Sequence, residues 1–336
     1  MGAWQAYRLR MKRRRLLWRA FRSRRRLAPI ANRTALAAPD AILLFATVFN
    51  ERNRLPYFLD YYRRLGIGHF LIVNNASTDG SGDYLACQPD VSLWQTDASY
   101  RHARFGMDWI GWLQIRYGHN RWNLVVDADE FLVYPFCDSR PLRALTDWLD
   151  SIGARSFPAM LLDMYPKGPV GSEPYHEGQN PFDIAAWFDS GNYTHSLNGR
   201  YGNLWIQGGP RARTYFRDAP WQAPALNKIP LVRWNRRFVF AGSTHMLLPR
   251  RLNIVYEEWG GERISGCLLH AKFLGDFAEK AAVEMTRQQH YADSVEYRAY
   301  DGSRTAPADL WCRWSEKYES WRQLERLGLM SSGNWA

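Results

Sequence analysis

The chain has 336 residues, a formal net charge of +11 and 15% aromatic side chains, 16 of them from Trp. That length can bury a sizeable core and accommodates one large α/β domain or two smaller ones. The charge is concentrated: residues 1–39 hold 12 Lys and Arg and no acid, against 32 basic and 33 acidic side chains in the rest. A near-neutral body argues against nucleic acid as its partner.

In chain order, the first segment is a basic amphipathic arm, residues 1–39. Trp4, Tyr7, Met11, Trp18 and Phe21 fall on one helical face, with Arg and Lys on most of the remainder. This suits a helix lying on an anionic membrane surface through residues 1–27. A solvated, disordered tail, or one that binds RNA or a protein, is the alternative. No apolar run reaches transmembrane length, and the arm lacks the apolar region of a secretory signal. Cys87, Cys137, Cys267 and Cys312 are scattered, with no Cys-x-x-Cys pair. That fits a reducing compartment, so a cytoplasmic location is expected, peripheral on the inner face of the cell membrane.

Past Pro39, the run Ile42 to Val48 reads as a buried parallel strand. Asn50-Glu51 opens a helix with Leu55, Phe58, Leu59, Tyr62 and Leu65 on its apolar stripe, closed by Gly66 and Gly68. A strand from His69 to Val73 runs into the turn-rich cluster Asn74 to Gly80. A third strand, Val91 to Gln95, leads to Asp97; a helix from about Ala103 to Tyr117 follows, then a strand into Asp127. This alternation predicts an α/β fold with a mostly parallel, Rossmann-like sheet flanked by helices. Its ligands bind beyond the carboxyl ends of the strands, where Asn50-Glu51, Asn74 to Asp79, Asp97 and Asp127-Asp129 all lie. Residues Met164 to Asn203 read as functional loop. β-prone pieces lie at Leu204 to Gln207, Arg237 to Ala241 and Leu268 to Phe273. Helices are expected over Asp276 to Tyr291 and over Ala308 to Leu327, where Trp311, Trp314, Tyr318 and Trp321 form a packing stripe.

The segment Asn123 to Phe131 carries the most chemistry. A short apolar strand delivers Asp127 and Asp129, one residue apart, where it must end. In extended backbone such residues point the same way and can face one divalent cation, Mn²⁺ or Mg²⁺, leaving positions open for phosphate oxygens. A solvated, Asp-rich turn is the alternative.

Three motifs in combination then resemble a known family: Thr47 to Glu51, Leu71 to Gly80, and Val125 to Phe131. They are similar to the family 2-like glycosyltransferases of the GT-A fold, in particular a bacterial subgroup with Asp-x-Asp-Glu-Phe and a late Leu-Leu-His-x-Lys-Phe, here Leu268 to Phe273. The resemblance implies a GT-A domain over residues 40–300, with a nucleotide-sugar-binding half (40–135) and an acceptor half (136–300), followed by a C-terminal helix and tail (301–336). It implies that Asn50, Glu51, Asn75, Ser77 and Asp79 hold the base and ribose of a nucleotide-sugar donor. Asp127 and Asp129 would hold the cation on the diphosphate, with His270 as a late metal ligand or diphosphate contact and Lys272 beside it. The activity implied is transfer of a sugar to a hydroxyl of a glycan or lipid-linked acceptor, with inversion, in cell-surface polysaccharide synthesis.

The base that deprotonates the acceptor should be an acid of the second half. Asp163 ends the strand Ala159 to Leu162 and so has a fixed position; Asp218 is a further candidate, as are Glu173, Glu177 and Asp183. Each of them singly reads equally as a surface acid. Lys228, Arg211 and Arg213 suit phosphate, or plain solvated turns. His245 reads as a hydrogen-bonded core residue, and Trp187, Trp205 and Trp221 as surfaces for stacking an acceptor. Two other classes share some features: a haloacid-dehalogenase-like phosphatase, which also uses Asp-x-Asp after an apolar strand, and a non-enzymatic membrane- or nucleic-acid-binding protein.

Overall fold

Alternation along the central strands builds two cores at once. In β2 (Leu43–Val48), Leu44, Ala46 and Val48 face one side of the sheet, while Leu43 and Phe45 face the other. This period of two is what a sheet covered on both faces demands. On the first side lies α2 (Leu55–Leu65), through Leu55, Phe58, Leu59 and Tyr62. On the second lies α4 (Met107–Tyr117), through Trp109, Ile110 and Leu113. This computed structural model describes residues 2–256, 263–287 and 308–335.

The nine-stranded sheet has the order β1-β4-β3-β2-β5-β11-β7-β14-β6. Its strands are β1 (Ala28–Ala31), β2, β3 (His69–Asn74), β4 (Val91–Gln95), β5 (Trp122–Val125), β6 (Glu130–Val133), β7 (Ser156–Asp163), β11 (Asn227–Arg233) and β14 (Gly266–His270). Strands β4, β3, β2 and β5 run parallel. β11 is antiparallel to both β5 and β7, and β14 is parallel to β7, so β7 and β14 share the direction of β5. Only β1, β11 and β6 run the other way. The expected mostly parallel α/β sheet is therefore present.

α2 ends as its sequence dictates: Gly66 adopts φ +96°, and the N–H groups of Gly66 and Ile67 bond back to the last turn. Between β4 and α4 the chain departs from the expected helix. Arg104 and Phe105 take positive φ and the helix begins only at Met107. α3 (Ser81–Ala86) links β3 to β4, and α5 (Leu142–Ser151) links β6 to β7.

The basic segment is part of the fold. Residues Ala3–Ser23 form α1, which buries Leu9, Leu16 and Ala20. Arg19 clasps Asp108 of α4 at 2.8 and 3.0 Å, and Ser23 Oγ donates to the Asp108 carbonyl at 2.8 Å. β1 then extends the sheet beyond β4. Among the described residues no helix is long and apolar enough to cross a membrane.

The second half is more ordered than a loop. β8 (Trp187–Asp189) and β9 (Tyr193–Asn198) occupy residues expected to be irregular, and β9 pairs with β10 (Asn203–Gly208), which matches the β-prone piece at Leu204 to Gln207. α6 (Gly209–Tyr215) follows, and β12 (Val239–Gly242) pairs with β13 (Met246–Leu248). α7 spans Phe277–Arg287; the rest of the helix expected to Tyr291 lies outside the described residues. The helix expected over Ala308 to Leu327 is corrected. Residues Ser315–Lys317 form β15, paired with β8, and only Trp321–Arg326 is helical. Strand pairing at the free edge of β8 overrides a helical periodicity there, since propensity is a weak prior. Trp311 and Trp314 are exposed as a result.

Candidate functional site

Strand register places the central groups. His270 lies opposite Asp163 across the parallel β14–β7 pair and opposite Glu130 across the antiparallel β14–β6 pair. The ring Nδ1 of His270 is 2.7 Å from Asp163 Oδ1, and its Nε2 is 3.3 Å from Asp129 Oδ2. Arg211, at the start of α6, donates from Nε to the other Asp163 oxygen at 2.7 Å. A chain of polar contacts thus runs from buried Arg211, Asp163 and His270 out to the partly exposed Asp129. Burial alone would lower the His270 pKa, but Asp129 and Asp163 outweigh it and raise it to about 9. Burial works against the carboxylates too, yet His270, Arg54 and Lys272 hold Asp129 well below the usual carboxylate range. Arg211 and His270 do the same for Asp163.

The Asp-x-Asp segment is a turn. β5 stops at Val125, the Glu130 N–H donates to the Asp127 carbonyl at 3.1 Å, and β6 begins at Glu130. The two acids are therefore presented by a tight reversal rather than by extended backbone. Asp127 is 54% exposed and Asp129 26%. Lys228, on β11 between β5 and β7, reaches beneath them. It pairs with buried Glu130 and stands 3.7 Å from Asp127. Burial disfavours its charge, but Glu130, Asp127 and Asp129 outweigh that and raise its pKa.

A second polar group lies on the α2 side. Arg54, 3% exposed, forms a bidentate pair with Asp276 at 2.9 Å and contacts Glu51 at 3.1 Å; Lys280 of α7 also meets Glu51, at 2.5 Å. Burial pushes the Glu51 carboxyl up to about 8, with Asp129 among the acids that add to it. Asp129 also acts on Arg54, which joins the two groups in one electrostatic unit.

The remaining predicted residues divide by role. Asn50, at φ +52°, accepts the Thr78 N–H at 2.8 Å, while its own N–H donates to Ser77 Oγ at 3.0 Å. Asp79 accepts from the N–H groups of Arg52 and Ser81. These side chains lock the loop after β2 to the loop after β3. Asn75 uses its amide hydrogens on the carbonyls of Thr96 and Ala98. Lys272 follows β14 and bears on Asp129. Asp218 is exposed after α6 and is not brought into the chain of ion pairs. His245 Nδ1 donates to the Asn227 carbonyl at 2.6 Å, as a structural histidine would.

Arg54, Asp276 and Lys280 are absent from the residues expected from sequence. Arg54 had a signal: it continues the apolar stripe of α2 four residues before Phe58, where a charge is out of place unless paired inside.

The donor chemistry of the turn suits a hard divalent cation in part. Two partly exposed carboxylates supply oxygen ligands. Among the described residues, no three His, Cys, Asp or Glu side chains are grouped to hold a metal ion by themselves. In this arrangement both ring nitrogens of His270 face carboxylates, Nδ1 towards Asp163 and Nε2 towards Asp129. Asp127 and Asp129 would therefore share a cation with oxygens of the ligand itself.

No family model matches the chain, and no curated protein matches it. Among solved structures, 4-diphosphocytidyl-2C-methyl-D-erythritol synthase is similar at 15% identity and a TM-score of 0.24, over 42% of this chain. The match covers 66% of that structure, just under two thirds of its length. A protein described as a glucose-1-phosphate thymidylyltransferase from Bacillus anthracis, in complex with a sucrose, is similar at 9% identity and a TM-score of 0.29, over 85% of this chain and 93% of that one. Scores this low assign neither substrate nor reaction, and the fold stated above rests on the sheet itself.

Proposed function

We propose that this chain is a metal-dependent glycosyltransferase that moves a sugar from a nucleotide-diphosphate donor to a hydroxyl of a glycan or lipid-linked acceptor. One observation carries the reading: the β5–β6 turn presents Asp127 and Asp129 at the carboxyl end of a parallel sheet, with Lys228, His270 and Arg54 packed around them. A cluster of acids alone would repel a diphosphate; acids interleaved with buried cations suit one.

Glycosyl transfer needs its diphosphate leaving group neutralised as the anomeric carbon gains positive charge. A divalent cation held by Asp127 and Asp129 would supply that as a Lewis acid. The protein's own groups do the positioning. Lys228 keeps its charge under the turn, and protonated His270 fixes one Asp129 oxygen. Asp163 and Arg211 orient the His270 ring. Because Asp163 is enclosed by those two partners, we assign it to positioning, and the base is sought among the other acids of the second half, Asp218 with Glu173, Glu177 and Asp183. The loops that carry Asn50, Glu51, Asn75, Ser77 and Asp79 would line the base and ribose side, with Lys272 beside the diphosphate.

The test is a panel of nucleotide sugars with Mn²⁺ or with EDTA, products resolved by mass spectrometry. Release of a nucleoside diphosphate that EDTA stops, and that Asp127→Ala/Asp129→Ala lowers by about a thousandfold or more, is the expected result. Turnover unaffected by the double substitution would refute the reading. Release of pyrophosphate from a nucleoside triphosphate and a sugar phosphate would instead make the chain a nucleotidyltransferase.

A further inference from the structure

α1 turns one face to the protein and the opposite face outward, and the outward face is the unusual one. Leu9, Leu16 and Ala20 are buried, whereas Trp4, Tyr7, Met11 and Trp18 are 70, 53, 41 and 58% exposed. At 100° per residue the four exposed side chains fall in one narrow stripe, running about 21 Å along the helix axis. Trp4 stacks on Tyr7 and Trp18 on Phe21, so the rings form a surface rather than isolated side chains. Exposed arginines flank the stripe on both sides: Arg8, Arg15 and Arg22, seven residues apart, along one edge, and Arg10 and Arg14 along the other. The helix holds no acid.

A second basic feature lies on the other side of the helix, where Arg13 shares the angular sector of buried Leu9 and Ala20. Arg13 of α1 meets Arg155, Arg237 and Arg251 around a cavity of about 400 Å³, with Asn120 and Asn235 also in its wall. None of the four arginines is in an ion pair with an acid among the described residues. Burial, and then the charges of Arg10, Arg237 and Arg251, lower the Arg13 pKa, which marks a cluster of like charge with nothing to balance it.

From the exposed stripe and the arginines that flank it we propose that the outward face of α1 is a docking surface for an anionic lipid bilayer. The arrangement matches an interfacial helix: aromatic rings and Met sink into the headgroup boundary while arginines on both edges meet lipid phosphates. A nucleic acid would be served by the arginines but not by the four exposed apolar side chains between them. Anchoring of α1 to α4 through Arg19 and Asp108 makes this a rigid face of the body, so binding would fix the orientation of the whole molecule on the surface. The inference goes beyond the catalytic reading and does not rest on it.

The experiment is co-sedimentation of the full chain with vesicles of phosphatidylcholine alone and with phosphatidylglycerol added, at low and high salt. Trp4→Ala/Trp18→Ala and Arg8→Gln/Arg15→Gln/Arg22→Gln touch only exposed groups, and unchanged melting temperatures would establish that both fold. Binding is expected only to the anionic vesicles, weakened by salt, and at least about tenfold weaker in either variant. Three results would each overturn the proposal: no preference for anionic vesicles; wild-type binding by both variants; or RNA binding lost in the arginine variant while vesicles are ignored. A dimer dispersed by the tryptophan substitutions, with no vesicle binding, would overturn it too, by giving the face to a second copy of the chain.

Discussion

His270 sits between two carboxylates, and its protonation couples the site to pH. The sign follows from a pKa raised from 6.5 to about 9. Stability from the charged ring is fully present below the unfolded value and is lost as pH rises through about 9. The full rise corresponds to roughly 3 kcal/mol, an order-of-magnitude figure for a nearly buried group. His270→Gln should therefore melt well below the wild type near about pH 6, with the gap closing above about pH 9. Melting curves of both proteins across that range check this; a gap independent of pH would contradict it. The neighbouring pair gives a second expectation. Arg211→Met leaves buried Asp163 with His270 alone, which should cost about 3–5 kcal/mol in urea unfolding. A loss under about 1 kcal/mol would show that Arg211 is not the main counter-charge.

At the scale of elements, the site depends on how closely β14 lies between β6 and β7. A Cβ on Gly266 would come 2.5 Å from the Val133 carbonyl oxygen and 3.0 Å from the Phe157 ring. Gly266→Ala should therefore push β14 outward, costing about 1–3 kcal/mol and lowering turnover by displacing His270 at the other end of the strand. Unchanged stability and unchanged turnover would contradict it. The strands that carry the candidate site were legible in the sequence because each is an apolar run ended by polar residues. Val91 to Gln95 matches β4 at both ends, and the runs at Ile42 and His69 match within one residue. The Asp-x-Asp segment was legible as a site but not as a turn, because four residues can reverse the chain without Gly or Pro. The tryptophan stripe from 311 to 321 misled for a different reason. Its periodicity is helical, but β8 offers an unpaired edge that residues 315–317 fill, and no local pattern reports a partner 126 positions away. Arg54, Asp276 and Lys280 stayed hidden likewise, since Arg54 and Asp276 meet across 222 positions.

The whole molecule is asymmetric in charge, and the structure gives that asymmetry a location. The basic segment is folded onto α4 and the sheet edge, with Trp4, Tyr7, Met11 and Trp18 turned outward, while the polar cluster lies at the carboxyl ends of β5, β7 and β14. Composition indicated a basic arm; only the packing of Leu9, Leu16 and Ala20 shows which of its faces is available. The account's central claim is that Asp127 and Asp129 share a divalent cation with a nucleoside diphosphate. Isothermal titration of nucleoside diphosphates into the wild type and Asp127→Asn/Asp129→Asn, each with Mn²⁺ and with EDTA, measures it directly. Mn²⁺ should tighten binding of at least one nucleotide by about tenfold or more in the wild type and have no such effect in the variant. Equal affinity with and without the metal, or equal enhancement in both proteins, would contradict it.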